Sequence, residues 1–294
     1  MYYFPNPLFR IDNYGLIMKP NSLFACLNFK KIDLELHVLS NIFNIEKRHD
    51  SVQRFLVNSA NEYLVSTQLP YFPRGGLPRL NNVLGGPGSW QFSTGWGGME
   101  AGGGMVYPAQ TLDGELATRC PDMASWIREH VAPVVTRDPH HALDTADPGP
   151  RMRRLALTRD QVRCVTGGSV WAPVSGPLAA VFPLGALHTV APYNSDPDRD
   201  PRLEQCWAGC LGLAAARVRE DTSFSVVTAL LGTGVKCIEH RHSARMLRRA
   251  IDNLDSDHTV VANKTCKIEL VLQSQDLCKG LLQEFDHDEL NYTE

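Results

Sequence analysis

The chain has 294 residues and no run approaching the ~18 uninterrupted apolar residues of a membrane-spanning helix. It lacks an excess of either charge: 29 Lys and Arg stand against 32 Asp and Glu, a net charge of −3. That balance removes the bulk electrostatic case for nucleic acid or a membrane surface as a partner. It lacks a disulfide framework. The eight Cys are scattered, and several fall inside apolar helical patterns, which predicts reduced thiols. The opening Met1-Tyr2-Tyr3-Phe4-Pro5 has no basic segment and no apolar stretch behind it, so no signal peptide is expected and the compartment is read as intracellular. No internal repeat of solenoid or propeller length is present. What is there is ordinary globular composition, 43% hydrophobic and 21% charged, which excludes wholesale disorder. A chain this long buries roughly three quarters of its unfolded surface and needs no staple.

The patterning divides the chain into three zones. Residues 1–72 read as ordinary globular sequence, 73–176 are rich in Gly and Pro, and 177–285 alternate short apolar runs with amphipathic helical spacing. Leu34–Leu39 alternates as a half-buried strand does, and Arg54–Val57 is a short buried strand stopping at Asn58. Ala186–Ala191 predicts a strand ended by Pro192. A polar loop leads to Asp200 as helix N-cap and Pro201 at the first helical position. Leu203, Cys206, Trp207, Cys210, Leu211, Ala214 and Val218 then recur at helical spacing. Phe224–Leu231 is a nearly continuous apolar run, as a central parallel strand requires. Ala244, Leu247, Ile251 and Leu254 predict a helix, Ile268–Leu272 a strand, and Leu277, Leu281, Leu282 and Phe285 a closing helix. Met123–Val135 holds a short helix ending near Pro133. Strand and helix alternating in this way predict an α/β domain with a mostly parallel sheet in three layers. The middle zone reads as an elaborated loop region of that domain, because it has no periodic core of its own.

In parallel sheets, ligands bind at the carboxyl ends of the strands, and three features sit there. Asn58-Ser59-Ala60-Asn61 follows a buried strand. Asn side chains both donate and accept, which suits a sugar hydroxyl; an ordinary Asx turn is the competing reading. Gly95–Gly104 holds six Gly in the order Gly95, Gly97, Gly98, Gly102, Gly103 and Gly104, with Trp96, Met99 and Glu100 between them. Such a stretch lets backbone N–H groups approach an anion, or serves as a linker. Leu231-Gly232-Thr233-Gly234-Val235 comes between the best strand and a helix, where a phosphate meets free N–H groups, or where the chain simply turns. It is neither a Walker loop nor the dinucleotide fingerprint, so no resident cofactor is expected. His240-Arg241-His242 has no Cys pair nearby and predicts no metal site. Cys206 and Cys210 flank Trp207 on the apolar helix face and read as core. Asp138, His140 and His141 have no nucleophile elbow. The basic clusters Arg151–Arg154 and Arg248-Arg249 read as solvated faces, either of which could touch a polyanion.

Taken in order, these segments resemble the macro domain family, the ADP-ribose-binding module. Val57-Asn58-Ser59-Ala60-Asn61 resembles its Asn turn, Gly97 to Gly104 its Gly-rich loop, Leu187-His188-Thr189-Val190-Ala191-Pro192 its His-Thr-Val-Gly-Pro strand, and Leu231–Val235 its diphosphate loop. The resemblance covers residues 32–285, with 1–31 an N-terminal extension and 286–294 an acidic tail. It implies a three-layer α/β/α macro-type domain with a long Gly/Pro-rich insertion.

The resemblance also implies roles. Asn61 would bond the distal ribose, with Asn58 and Ala60 supporting the turn. Gly97, Gly98, Gly102, Gly103 and Gly104 would cover the distal ribose and pyrophosphate. The backbone of Gly232, Thr233, Gly234 and Val235 would cradle the diphosphate, with Lys236 adding its charge. Asn41 and Ile42 fall where the family has Gly-Asp-Ile as its adenine contact, so the charge of that contact is missing. Lys236-Cys237 departs from an aromatic-Gly pair. Hydrolytic members carry an Asp after the Gly loop that orients a water; Asp113 is the nearest match and Glu100 a second carboxylate, with plain solvated acids the competing reading. The implied partner is ADP-ribose or an ADP-ribosylated protein, taken up by a monomer, with poly(ADP-ribose) the polyanion that the basic clusters could touch. The implied activity is ADP-ribose binding with removal of ADP-ribose from an acceptor or an ester; a non-catalytic binding module and a degenerate fold used for protein interaction are the alternatives.

Overall fold

The computed structural model describes residues 24–29, 32–39, 41–45, 53–64, 111–134, 162–194, 196–219, 222–234, 236–256 and 266–287. Seven strands form one sheet: β1 (Phe24–Phe29), β2 (Ile32–Val38), β3 (Gln53–Ser59), β4 (Ser169–Ala172), β5 (Ala186–Thr189), β6 (Phe224–Thr228) and β7 (Cys266–Leu272). Their order is β1-β2-β7-β6-β3-β5-β4. The five inner strands, β2, β7, β6, β3 and β5, run parallel. The edge strands β1 and β4 pair antiparallel to β2 and β5. Among the described residues the α-helices are α1 (Leu112–Arg119), α2 (Met123–His130), α3 (Arg199–Arg217), α4 (His240–Ser256) and α5 (Gln275–His287).

Side chains alternate across each strand, so each face of the sheet builds its own core. One face carries Leu34, Leu36, Phe55, Val57, Leu187, Phe224, Val226, Ile268 and Leu270 against Leu203, Trp207, Leu211, Leu247, Ile251 and Leu281 from α3, α4 and α5. The opposite face carries Leu56, Ala186, Val227 and Val271 against Leu116 of α1, Met123 and Ile127 of α2, and Phe182. The result is the expected three-layer arrangement of helices, mixed sheet and helices.

Every residue assigned to the buried face of α3 is buried. Its start differs. The helix begins at Arg199 with Asp198 at the cap, so Asp200 lies in the first turn rather than capping it. The Asp200 carboxylate is taken instead by Arg199 Nε and His242 Nε2, both at 2.7 Å. The apolar run at Phe224 leaves the sheet after Thr228, and Leu230 and Leu231 stay buried beneath the following turn. The stretch of 73–176 yields two helices and an edge strand where the sequence pattern showed only α2. Thr111 caps α1 by accepting from Gly114 N at 3.0 Å, with Asp113 and Glu115 in the first turn. β1 likewise joins the sheet from within 1–31. Residues 65–110 and 135–161 lie outside the described residues.

Charged side chains interrupt the second face. Glu35, Arg54 and Glu269 are buried there. Arg54 clamps Glu269 through Nε at 2.9 Å and a terminal nitrogen at 2.8 Å. Ser225 donates to Glu269 Oε1 at 2.6 Å, and Lys267 pairs with Glu35 at 2.7 Å. At the β4 edge, Arg217 lies 3.7 Å over the Trp171 ring, and Trp126 meets Trp171 edge-on at 5.5 Å.

Candidate functional site

A parallel sheet puts all its carboxyl ends on one side, and the sequence places polar residues at several of them. Asn41 follows β2, Asn58 to Asn61 end β3, His188 to Tyr193 end β5, and Gly232 to Lys236 follow β6. β3 and β5 are in register at Asn58 and His188, so these two side chains share the face that α1 and α2 cover.

Asn58 is fully buried and forms the centre of the group. Its Nδ2 donates to Asp113 Oδ1 at 2.9 Å and meets His188 Nδ1 at 3.1 Å. His188 Nε2 faces the Met123 sulfur at 3.1 Å. Burial pushes the His188 pKa down to about 4, against a smaller upward pull from Asp113. The ring is therefore neutral at physiological pH. Among the described residues nothing hydrogen-bonds Asn58 Oδ1.

Asn41 does not present a free amide. Its Oδ1 accepts from Phe43 N at 2.9 Å, capping a 3-10 turn over Ile42–Asn44. Its Nδ2 donates to both oxygens of Glu115, at 2.8 and 2.7 Å. Glu115 also takes Arg119, 2.7 Å away, and Arg119 stacks 4.8 Å over Phe43. An amide at position 41 is what Glu115 requires, because an Asp there would set two carboxylates against each other. Asn41 and Asn58 thus do parallel work: each amide, from a different strand end, holds one acid in the first turn of α1. Ile42 is buried in the core beside them.

Asn61 forms an Asx turn, with Tyr63 N donating to its Oδ1 at 3.1 Å. Ala60 N bonds Thr189 O at 2.8 Å, which ties the Asn turn to the end of β5.

The loop after β6 turns tightly. Gly232 has φ +76°, and a Cβ there would meet Ile238 Cδ1 at 2.5 Å. Thr233 Oγ1 bonds Leu230 O at 2.9 Å and Ile238 N returns to Gly232 O at 3.0 Å. Gly234 is exposed. Cys237 sits at φ +59°, the backbone region that favours glycine, so the departure from Gly at this position is one of strain. Lys236 lies 4.0 Å over the Tyr193 ring, with Asn194 N bonding its carbonyl at 2.9 Å. Arg199 reaches Asn194 Oδ1 at 2.7 Å, and its hydrogen bond to Asp200 holds that carboxyl below the usual range, His242 adding to the effect. Gly232→Ala is expected to cost about 1–2 kcal/mol from the left-handed backbone alone, read by chemical denaturation. A variant as stable as the wild-type chain would show that this turn has room to relax.

The structure therefore brings Asn58, Asp113 and His188 together and places Asn41, Asn61 and the Gly232–Lys236 loop along the same edge. Gly97, Gly98, Glu100, Gly102, Gly103, Gly104 and Val235 lie outside the described residues. Sequence reasoning missed Glu115 and the role of His188. The signal for His188 was visible: a histidine inside an apolar strand, on a strand whose parallel neighbour carries Asn58 at the paired position.

Among the described residues, Glu35, His37 and Glu269 are the one group whose ligand atoms could converge on a metal ion, all within 4.8 Å. Arg54 and Lys267 already balance the two carboxylates, so a divalent ion would enter a centre with no net charge to satisfy. We read it as an internal ion-pair network. No described helix is long and apolar enough to cross a membrane.

A mixed sheet between two helical layers, with polar turns collected at the carboxyl ends of its parallel strands, defines an α/β/α domain. No family model matches the chain, and no curated protein matches it in sequence. A single-residue variant of the Oceanobacillus iheyensis macrodomain shares its fold, with TM-score 0.52 and 15% identity over 93% of this chain and 97% of that one. The same macrodomain with ADP gives 0.47 and 16%, over 91% and 97%. The Trypanosoma brucei macrodomain in complex with ADP-ribose gives 0.43 and 14%, over 86% and 68%. The chain has the macrodomain fold.

Proposed function

We propose that the chain binds ADP-ribose, free or attached to protein, along the carboxyl edge of the sheet, and that it removes ADP-ribose from an acceptor. The observation that carries this reading is the bond from Asn58 to Asp113. It brings a carboxylate from a helix 55 residues away to the Asn turn that the resemblance assigns to the distal ribose. Asn61 bonds a ribose hydroxyl, and the loop after β6 takes the diphosphate on its backbone N–H groups. Asn41 serves as a strut for Glu115 rather than as the base contact. Asp113 orients a water against the anomeric carbon. It accepts a proton from that water as the carbon–acceptor bond breaks, and the acceptor leaves with the electron pair. Positioning and fixed hydrogen bonds supply the rate, with no metal in the scheme.

Calorimetric titration with ADP-ribose, with AMP and NAD as controls, tests the binding half. The expected result is a micromolar Kd, about −8 kcal/mol. Asn61→Ala should weaken it by about 1–3 kcal/mol, the usual cost of an unmade buried hydrogen bond. No heat at millimolar ligand would remove the reading and leave the fold to protein interaction. Binding without turnover of any ADP-ribosylated substrate would leave a binding module.

A further inference from the structure

We propose that His188 is a positioning residue that sets Asp113 through Asn58. The inference rests on the reading of Asp113 given above and adds a residue to it.

The geometry leaves one consistent arrangement. Asn58 Nδ2 carries two hydrogens and has two partners, Asp113 Oδ1 at 2.9 Å and His188 Nδ1 at 3.1 Å. A carboxylate only accepts, so it needs the amide nitrogen and not the amide oxygen. His188 makes the same demand only while Nδ1 keeps its lone pair. Its proton then sits on Nε2, which faces the Met123 sulfur at 3.1 Å, a weak acceptor. The ring is 2% exposed, so little water competes for either nitrogen. Two acceptors, one on either side, therefore fix the amide in a single orientation. The NH2 group holds Asp113, and Oδ1 is left as a buried acceptor for a water next to the carboxylate. A ring protonated on Nδ1 would ask for the amide oxygen instead, and Asp113 would lose its donor. Asp113 is the charged group whose field on the ring is resolved, and it opposes the burial that keeps the ring neutral.

The sequence places these parts on separate elements: His188 on β5, Asn58 on β3, Asp113 at the start of α1 and Met123 at the start of α2. The relay is thus a point where both described helices of this layer are referenced to the sheet.

The test uses the labelled full-length chain. Long-range proton–nitrogen spectra of His188 should show the neutral ring with its proton on Nε2 at pH 7. A charged ring, or a proton on Nδ1, overturns the proposal. His188→Leu removes the acceptor. It should shift the Asn58 side-chain amide signals and lower kcat on a glutamate-linked ADP-ribosyl peptide by roughly 10–100-fold, the scale of a small misplacement. The Kd for free ADP-ribose should stay within about threefold, since no ligand atom is touched. His188→Gln, whose side-chain oxygen can accept from Asn58, should recover most of the lost turnover. Turnover and Asn58 signals unchanged in the Leu variant, with the fold intact, would refute the relay. If the wild-type chain binds ADP-ribose but does not turn over the peptide, the hydrolytic reading fails, and the ring tautomer and the Asn58 signals still decide the relay.

Discussion

Replacing Arg54 with methionine is expected to destabilise the fold by about 3–5 kcal/mol, the cost of leaving a buried charge without its partner. The orphan would be Glu269, fully buried in the middle of β7. Arg54 enters from β3, two strands away across β6, and only a long side chain spans that gap. Glu269 lies in register with Glu35 on β2, so two carboxylates stand side by side. Arg54 and Lys267 offset their repulsion, and removing one leaves a single cation for both. Denaturant unfolding should show the midpoint fall while the slope holds. Arg54→Met combined with Glu269→Leu should recover most of the loss, because the pair is then replaced by apolar packing. A single variant costing less than ~1 kcal/mol would mean the network is worth no more than a surface ion pair.

Asp113→Asn is expected to lower turnover of an ADP-ribosyl peptide by roughly 10²–10⁴-fold, the range for loss of a positioned proton acceptor. An amide at position 113 can still accept from Asn58 through its oxygen, so the start of α1 should keep its place. Affinity for free ADP-ribose should then change little, and the effect should appear in kcat. Full turnover in this variant would take Asp113 out of the chemistry. Loss of binding with loss of turnover would make the residue a scaffold for α1.

The fold was legible wherever one residue pattern matched one element. α3, α4 and the strands β5, β6 and β7 each bury a continuous stripe or run, and periodicity sees such stripes directly. α1 escaped because it is only eight residues long, contains a Gly, and announces itself mainly by its Thr111 cap. β4 escaped because it is four residues of an edge strand. At the site, the order of the Asn and Gly turns was readable, but what those Asn residues touch was not. Asn41 and Asn58 look like ligand contacts in sequence because amides suit ligands. They meet acids of α1 that lie 74 and 55 residues away, and nothing local to either Asn encodes that pairing.

The strained Cys237 also has a practical use. Of the seven cysteines whose surroundings the structure describes, six are buried and Cys237 is half-exposed. Partial burial pushes its thiol pKa up, so its reaction with an alkylating probe is slow at neutral pH and quickens in mild base. Among the described cysteines Cys237 is thus the labelling position, at the mouth of the Gly232 turn. A fluorophore attached there would report on whatever settles against that loop, without any cysteine having to be engineered in.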